Sequence, residues 1–249
     1  MNITIIPDIH HHIKEVEQIL YAEAADKVVF LGDWFDDFYD DEAMSAKTAL
    51  WLTNRMDRHK EDVFIWGNHD VHYGFPFPGV CCSGYEQSKC DAIRDIMRPR
   101  HWDRFVFHHW EGSWLMSHAG LTKSHTAGVT DIRSWLEGEE EAAQLALRRG
   151  MKERHWIFTA GMARGGRAPF GGLTWCDVNE FVPIAGINQV FGHTPQPGRV
   201  WKYDTKRRSG NIANSENYCI DTHLACYARI VDGTFELRER QIPKVPNCP

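Results

Sequence analysis

Asn68, His69 and Asp70 place an amide, an imidazole and a carboxylate on consecutive residues, directly after Gly67 and the apolar run 63–66. Polar groups crowded at the end of a buried strand are costly unless something there needs them. Gly-Asn is also ordinary turn chemistry, so a satisfied turn is the competing account. The pattern recurs along the chain. Asp8-Ile9-His10 follows the run 3–6, and in an extended segment residues i and i+2 point the same way, so both side chains can reach one ion. Gly32-Asp33-Trp34-Phe35-Asp36-Asp37 follows a second run at 27–31. Ser117-His118-Ala119-Gly120 and Gly192-His193-Thr194-Pro195 each set a further imidazole at a strand end.

Asp8, His10, Asp33, Asn68, His118 and His193 mix hard oxygen donors with imidazoles. Such a set suits manganese first, then iron or zinc, rather than a metal that prefers thiolates. Six donors exceed the needs of one catalytic ion. They suit two divalent ions about 3.5–4 Å apart that share a carboxylate, an arrangement used to hydrolyse phosphoesters.

These donors need elements that bring them together. Strands at 3–6, 27–31 and 62–66 alternate with amphipathic helices at 13–25 and 42–58, a βαβαβ pattern that predicts a parallel sheet with right-handed crossovers. All three strands then deliver their polar ends to one edge, where open α/β folds place their sites. Beyond this unit, 71–84 reads as a Gly/Pro/aromatic loop and 85–97 as a helix. Residues 104–109 and 113–117 read as strands joined by a turn at Glu111-Gly112. Residues 130–149 form a long helical pattern whose acidic run, 137–141, reads as a solvated face. The glycine-rich loop 161–172 carries Arg164 and Arg167 but lacks the Gly-Lys-Ser/Thr ending of a Walker loop. Strands are expected at 189–191, 198–203, 217–220 and 224–240, the last broken by a turn at Asp232-Gly233. No repeat or linker interrupts the chain, so one domain over 1–249 is expected.

At 249 residues, with 43% hydrophobic and 25% charged residues, the composition is that of a globular protein with a sizeable core. A formal net charge of −6 argues against general nucleic-acid binding, and the short basic stretch Lys206-Arg207-Arg208 reads as a solvated turn. No apolar run reaches the length of a membrane span, and the first residues lack a basic n-region. Seven scattered cysteines do not form a disulfide framework, which suggests a reducing cytoplasm. Cys81, Cys82 and Cys90 lack the paired spacing of a structural zinc site. His11 and His12 read as a solvated helix start.

Taken in order, Asp8-x-His10, Gly32-Asp33-x-x-Asp36, Gly67-Asn68-His69-Asp70, His118-Ala119-Gly120 and Gly192-His193-Thr194 resemble the motifs of the calcineurin-like metallophosphoesterases. The resemblance runs from residue 3 to about residue 230. Ile187-Asn188-Gln189-Val190-Phe191-Gly192-His193-Thr194-Pro195 and Asn217-Tyr218-Cys219-Ile220-Asp221-Thr222 look most like the phosphoprotein-phosphatase branch and its diadenosine-tetraphosphatase-like relatives. It implies an α/β fold of two packed mixed β-sheets flanked by helices, four layers in αββα order, with a helical and glycine-rich insertion at about 124–180. It also implies roles. Asp8 and His10 would hold the first of two divalent ions, Asp33 would bridge, and Asn68, His118 and His193 would hold the second. A hydroxide between the ions would attack phosphorus. His69 would protonate the leaving oxygen, and Asp36 would fix its tautomer. The lesser, competing account of Asp36 is a helix-start carboxylate.

The departures bear on substrate. Where the protein-phosphatase branch has Arg-Gly after its second aspartate, this chain has Asp37-Phe38. The lost cation puts a phosphoprotein substrate in question. Arg164 and Arg167 could supply the missing clamp alongside Asn68, because arginine can grip phosphate bidentately; both also read as solvated loop arginines. The expectation is a phosphomonoesterase acting on a phosphorylated small molecule, nucleotide or phosphoprotein. A dinucleoside polyphosphate hydrolase is the first rival, favoured if Trp34, Phe38, Tyr73 or Phe75 line a base-stacking pocket. A nuclease and a non-catalytic binding module are the further rivals.

Overall fold

The structure is a computed structural model that describes residues 1–152, 154–203 and 214–241. The first sheet begins with β1 (Asn2–Ile6), which α1 (Ile13–Ala22) connects to β2 (Lys27–Phe30). Helix α2 (Glu42–Arg58) leads to β3 (Val63–Ile65), and then come α3 (Asn68–Gly74), α4 (Gln87–Ile96) and α5 (Pro99–Trp102). Strand β4 (Phe105–Val106) completes a parallel set with β1, β2 and β3. The second sheet starts with β5 (His108–Glu111) and β6 (Trp114–Ser117), followed by α6 (Ile132–Arg148) and then β7 (Asn188–Phe191), β8 (Trp201–Lys202) and β9 (Asn217–Cys219). The chain returns to the first sheet as the hairpin β10 (Cys226–Val231) and β11 (Thr234–Glu239).

The two sheets run in the orders β11-β10-β1-β2-β3-β4 and β5-β6-β7-β9-β8. Both are mixed: β10 is antiparallel to β1, and β5 and β8 flank a parallel β6-β7-β9 core as antiparallel edges. Alternation along each strand decides the layers. Ile3 and Ile5 of β1 join Val29, Ile65, Met116 and Val190 in a buried layer drawn from both sheets. The opposite face, with Ile6, Val28, Phe30 and Phe64, packs against α1 and α2 through Val16, Ile19, Leu52 and Met56. A third cluster, with Phe181 and Phe191, covers the outer face of the second sheet. Helices therefore flank packed sheets, as the sequence led us to expect.

Two local readings change, and a third, against a zinc site at Cys81, Cys82 and Cys90, stands. Residues 104–109 are not one strand: β4 pairs with β3 in the first sheet and β5 with β6 in the second. The chain crosses between sheets at the buried Phe107, and a period-two run gives no sign of such a crossing. The acidic stretch of α6 is not purely solvated, since Glu140 meets His108 Nδ1 at 2.7 Å and Glu139 meets His155 Nε2 at 3.2 Å. Cys81 is exposed while Cys90 lies in the core, so Cys81, Cys82 and Cys90 do not converge on one point. Lys206, Arg207 and Arg208 lie outside the described residues. Among the described residues, no helix is long and apolar enough to cross a membrane.

Candidate active site

The chain turns sharply past the ends of three strands that deliver donors, β1, β2 and β7. His10, Asp33, Asp36 and His193 have φ of 41°, 50°, 64° and 68°. This left-handed region costs an L-residue about 1–2 kcal/mol. Hydrogen bonds offset the strain: Asp33 N donates to Asp70 Oδ2 at 2.8 Å, and His193 N donates to Asp8 Oδ1 at 2.8 Å. Two glycines allow the strand ends to approach. A Cβ on Gly32, whose φ is 103°, would lie 2.4 Å from Gly67 N, and a Cβ on Gly67 would lie 2.1 Å from Asp33 Oδ1.

The six donors read from the sequence meet at this edge, five of them buried and His10 half-buried. They form two overlapping groups. Asp8, His10 and Asp33 offer donor atoms within 4.8 Å of one another, and so do Asp33, His118 and His193. Asp33 belongs to both. Its Oδ2 lies 3.8 Å from His10 Nε2 and 3.4 Å from His118 Nε2. His118 Nε2 is also 2.9 Å from Asn68 Oδ1 and 3.1 Å from His193 Nδ1, while its Nδ1 donates to the Leu31 carbonyl at 2.8 Å. His10 Nδ1 lies 2.5 Å from the Asp36 carbonyl, which aims Nε2 inward.

The electrostatics fit bound cations. Burial pushes the Asp8 carboxyl well above its usual range, and Asp221 and Asp33 add to the push. Burial opposes ionisation of Asp33 too, but the His118 and His69 charges override it and hold Asp33 well below the usual range. Burial would lower His118, yet Asp33 lifts it to about 9, which shows how strongly positive charge is favoured beside that carboxylate. His193 is driven well below the usual range by burial and by His118. Its buried Nε2 has no hydrogen-bond partner. An orphaned imidazole nitrogen beside crowded, buried carboxylates is the environment a divalent cation satisfies. The residues present fit a pair of ions.

Beside this centre lies a proton-handling pair. His69 Nδ1 is 2.7 Å from Asp36 Oδ2. Asp36 is not a helix cap; Asp41 fills that position for α2. The other Asp36 oxygen, Oδ1, accepts from Tyr73 OH at 2.5 Å and from Lys89 Nζ at 2.9 Å. Burial opposes the Asp36 charge, but these bonds, led by His69, hold its carboxyl below the usual range.

Arg164 and Arg167 do not form a pair at the metal centre. Arg164 Nε meets Asp177 Oδ2 at 2.9 Å and its Nη2 donates to the His193 carbonyl at 3.0 Å, so it braces a donor loop. Arg167 is exposed and lines a neighbouring cleft of about 780 Å³ with Arg154, Arg164, His155 and Trp175. The base pocket imagined from Trp34, Phe38, Tyr73 and Phe75 does not form. Trp34 is buried against Phe30, Trp51 and Phe64, Tyr73 holds Asp36, and Phe38 is 88% exposed. His11 is not solvated either: its Nδ1 meets Thr48 Oγ1 at 2.8 Å and its Nε2 meets Asp40 Oδ2 at 3.1 Å.

Sequence reasoning missed four contributors. Lys89 is a lone lysine in an amphipathic helix and carries no local signal. Tyr73 was read only as a wall for a base. Asp70 completes the Asn-His-Asp motif, and its carboxylate ties Asp33 N, Trp34 N and Gly67 N together at 2.8, 2.8 and 3.0 Å. Asp221 is buried close enough to Asp8 to raise its carboxyl; its place after β9 was the one available clue.

The comparisons with known proteins agree with this architecture. The profile of the calcineurin-like phosphoesterases matches residues 1–197. The chain belongs to that family of metal-dependent phosphoester hydrolases, whose centre holds two divalent ions. No curated protein matches. Among solved structures, the fold resembles a cold-active protein-tyrosine phosphatase of a psychrophilic Shewanella, with a TM-score of 0.60 at 10% identity. That match covers 96% of this chain and 80% of the other. It also resembles a protein serine/threonine phosphatase from Saccharomyces cerevisiae, with a TM-score of 0.51 at 13% identity over 99% and 82% of the two chains.

Proposed function

We propose that this phosphoesterase hydrolyses phosphomonoesters, with Asp8, His10 and Asp33 holding one divalent ion and Asp33, Asn68, His118 and His193 holding the other. The position of Asp33 Oδ2 between His10 Nε2 and His118 Nε2 carries the reading, because a shared carboxylate is what a two-ion centre requires. Bound there, the ions supply an activated water and positive charge for the phosphoryl oxygens. We take manganese as the first candidate, since carboxylate, amide and imidazole donors suit it. The free state of the described cysteines favours a cytoplasmic setting.

His69 is the proton donor. Its Nδ1 is engaged by Asp36, which leaves Nε2 to face the leaving oxygen. Asp36 selects that tautomer by accepting from Nδ1. Tyr73 and Lys89 in turn fix Asp36, so the imidazole is aimed by a chain of contacts that never touches substrate. Asn68 Oδ1 points at His118 Nε2, toward the second ion position.

One observation favours a second reading, hydrolysis of a polyphosphate such as a dinucleoside polyphosphate. The cleft beside the centre presents Arg154, Arg164 and Arg167 with Trp175, whose ring sits 5.6 Å from that of His193. Three guanidinium groups and an indole can grip several phosphates and a base. The experiment is to strip the protein of metal, restore manganese or zinc, and compare p-nitrophenyl phosphate, bis-p-nitrophenyl phosphate and diadenosine tetraphosphate. Metal-dependent turnover led by the monoester supports the first reading. Turnover led by the dinucleotide replaces it with the second, and silence on all three with two ions bound refutes both.

A further inference from the structure

Cys82 has no part in the proposed reaction, yet its Sγ lies 3.6 Å from Asp36 Oδ2, the same oxygen that His69 Nδ1 engages. Asp36, His69 and Cys82 each offer a donor atom within 4.8 Å of the others. Cys82 and His69 are both half-buried, so solvent reaches them. Here the donor set changes character. A carboxylate, an imidazole and a sulfur are the ligands of zinc and its thiophilic relatives, whereas the neighbouring centre offers no sulfur.

We propose that Asp36, His69 and Cys82 form a third, inhibitory site for a thiophilic divalent cation such as zinc or cadmium. The geometry is close to ready. Ligand bonds of about 2.3 Å to sulfur and 2.0 Å to oxygen at a tetrahedral angle put the two atoms about 3.5 Å apart, and the observed separation is 3.6 Å. The Nδ1···Oδ2 separation of 2.7 Å must open to about 3.3 Å, the spacing set by two bonds of about 2.0 Å. A partly exposed ring can make that shift. Three protein donors leave the fourth position to water.

The charge balance also permits it. When His69 is protonated on both ring nitrogens, two hydrogens point at Asp36 Oδ2, one from Nδ1 and one from the thiol. A divalent cation replaces both. Two protons leave as two charges arrive, so the cluster's net charge is unchanged. The Lys89 ammonium and the neutral Tyr73 hydroxyl need no rearrangement, because they bind the other oxygen, Oδ1. His69 Nε2 keeps its hydrogen but now belongs to a neutral, metal-bound imidazole, a weaker acid than the imidazolium. Proton delivery to the leaving group stops.

The site itself stands apart from the proposed reaction; only its inhibitory effect rests on that reading. The test starts from protein loaded with manganese. Cadmium is added and the ultraviolet thiolate-to-cadmium charge-transfer band is recorded, a readout that needs no turnover. Zinc inhibition of p-nitrophenyl phosphate hydrolysis is then measured. Wild type and Cys81→Ser should bind one further equivalent and show the band. Cys82→Ser should lack the band, keep its basal turnover, and need at least about tenfold more zinc for half-inhibition, since even indirect disturbance of a ligand costs about that much affinity. A band of equal size in Cys82→Ser, or equal zinc sensitivity, overturns the site. A Cys82-dependent band without inhibition overturns the inhibitory effect and with it the assignment of His69 as proton donor.

Discussion

Replacing Lys89 with methionine should cost the protein much of its stability. Its side chain is 2% exposed and those of Asp36 and Asp40 are 4% and 6% exposed. Nζ lies 2.9 Å from Asp36 Oδ1 and 3.0 Å from both Asp40 oxygens. Methionine fills a similar volume but leaves two buried carboxylates facing one another with their shared cation gone. Removing one partner from a buried ion pair costs about 3–5 kcal/mol. At about 2–4 °C per kcal/mol for a chain of this size, Tm should fall by roughly 6–20 °C. Urea denaturation followed by circular dichroism at neutral pH measures this directly. The pH dependence gives a second check. The folded-state carboxyl of Asp36 is held below its ordinary value and the Lys89 ammonium is held above. Asp36 therefore contributes stability above its unfolded pKa of about 3.9 that is lost as pH falls through the lower folded value, and Lys89 contributes stability below about 10.4 that is lost as pH rises through its higher folded value. The gap between wild type and Lys89→Met should be flat between those limits and close in acid. A second substitution, Asp40→Asn, should recover part of the loss. A cost under about 1 kcal/mol, as for an exposed pair, would refute the account.

Further outcomes are expected at the centre itself. His69→Ala should retain two ions per chain and lose about 10²–10⁴ in turnover; a normal rate would remove His69 from the mechanism. Asp33→Asn should bind fewer than two ions by elemental analysis, and full occupancy would end the bridging assignment. Asp70→Asn replaces one acceptor oxygen with a donor opposite a backbone N–H and should destabilise by about 1–3 kcal/mol. An unchanged denaturation midpoint would show that the three N–H contacts to Asp70 do not fix the strand ends.

The sheet that carries most of the site was legible because its strands are short, apolar and cut off by glycine or proline before a charged residue. The pattern Val28-Val29-Phe30-Leu31-Gly32-Asp33 has few other physical solutions. The helix at 42–58 was equally readable from its spacing, and the structure adds its Asp41 cap. What escaped were contacts between elements distant in sequence. Nothing near Lys89 announces that α4 delivers it to Asp36, 53 residues earlier. His11 looks like any polar residue before a helix until α2 brings Thr48 over it. The split of 104–109 between two sheets depends on which partner strand lies alongside, and a single strand's pattern does not encode its neighbour. Whether Trp34 and Tyr73 line a pocket was left open by the sequence, because aromatic residues near a site serve a core as readily as a ligand.

The Asp8–His193 contact spans 185 positions of sequence and joins a loop of the first sheet to one of the second. A chain that has formed only its first sheet owns Asp8, His10, Asp33 and Asn68 but neither His118 nor His193. The full donor set exists only after the sheets have closed on one another. Binding of the second proposed ion, which would use His118 and His193, is thus reserved for the finished sandwich, and by mass action each tenfold rise in free ion above its dissociation constant would add about 1.4 kcal/mol to the docked state. Availability of the ion thereby governs how firmly the two halves are latched, as well as whether the molecule can catalyse.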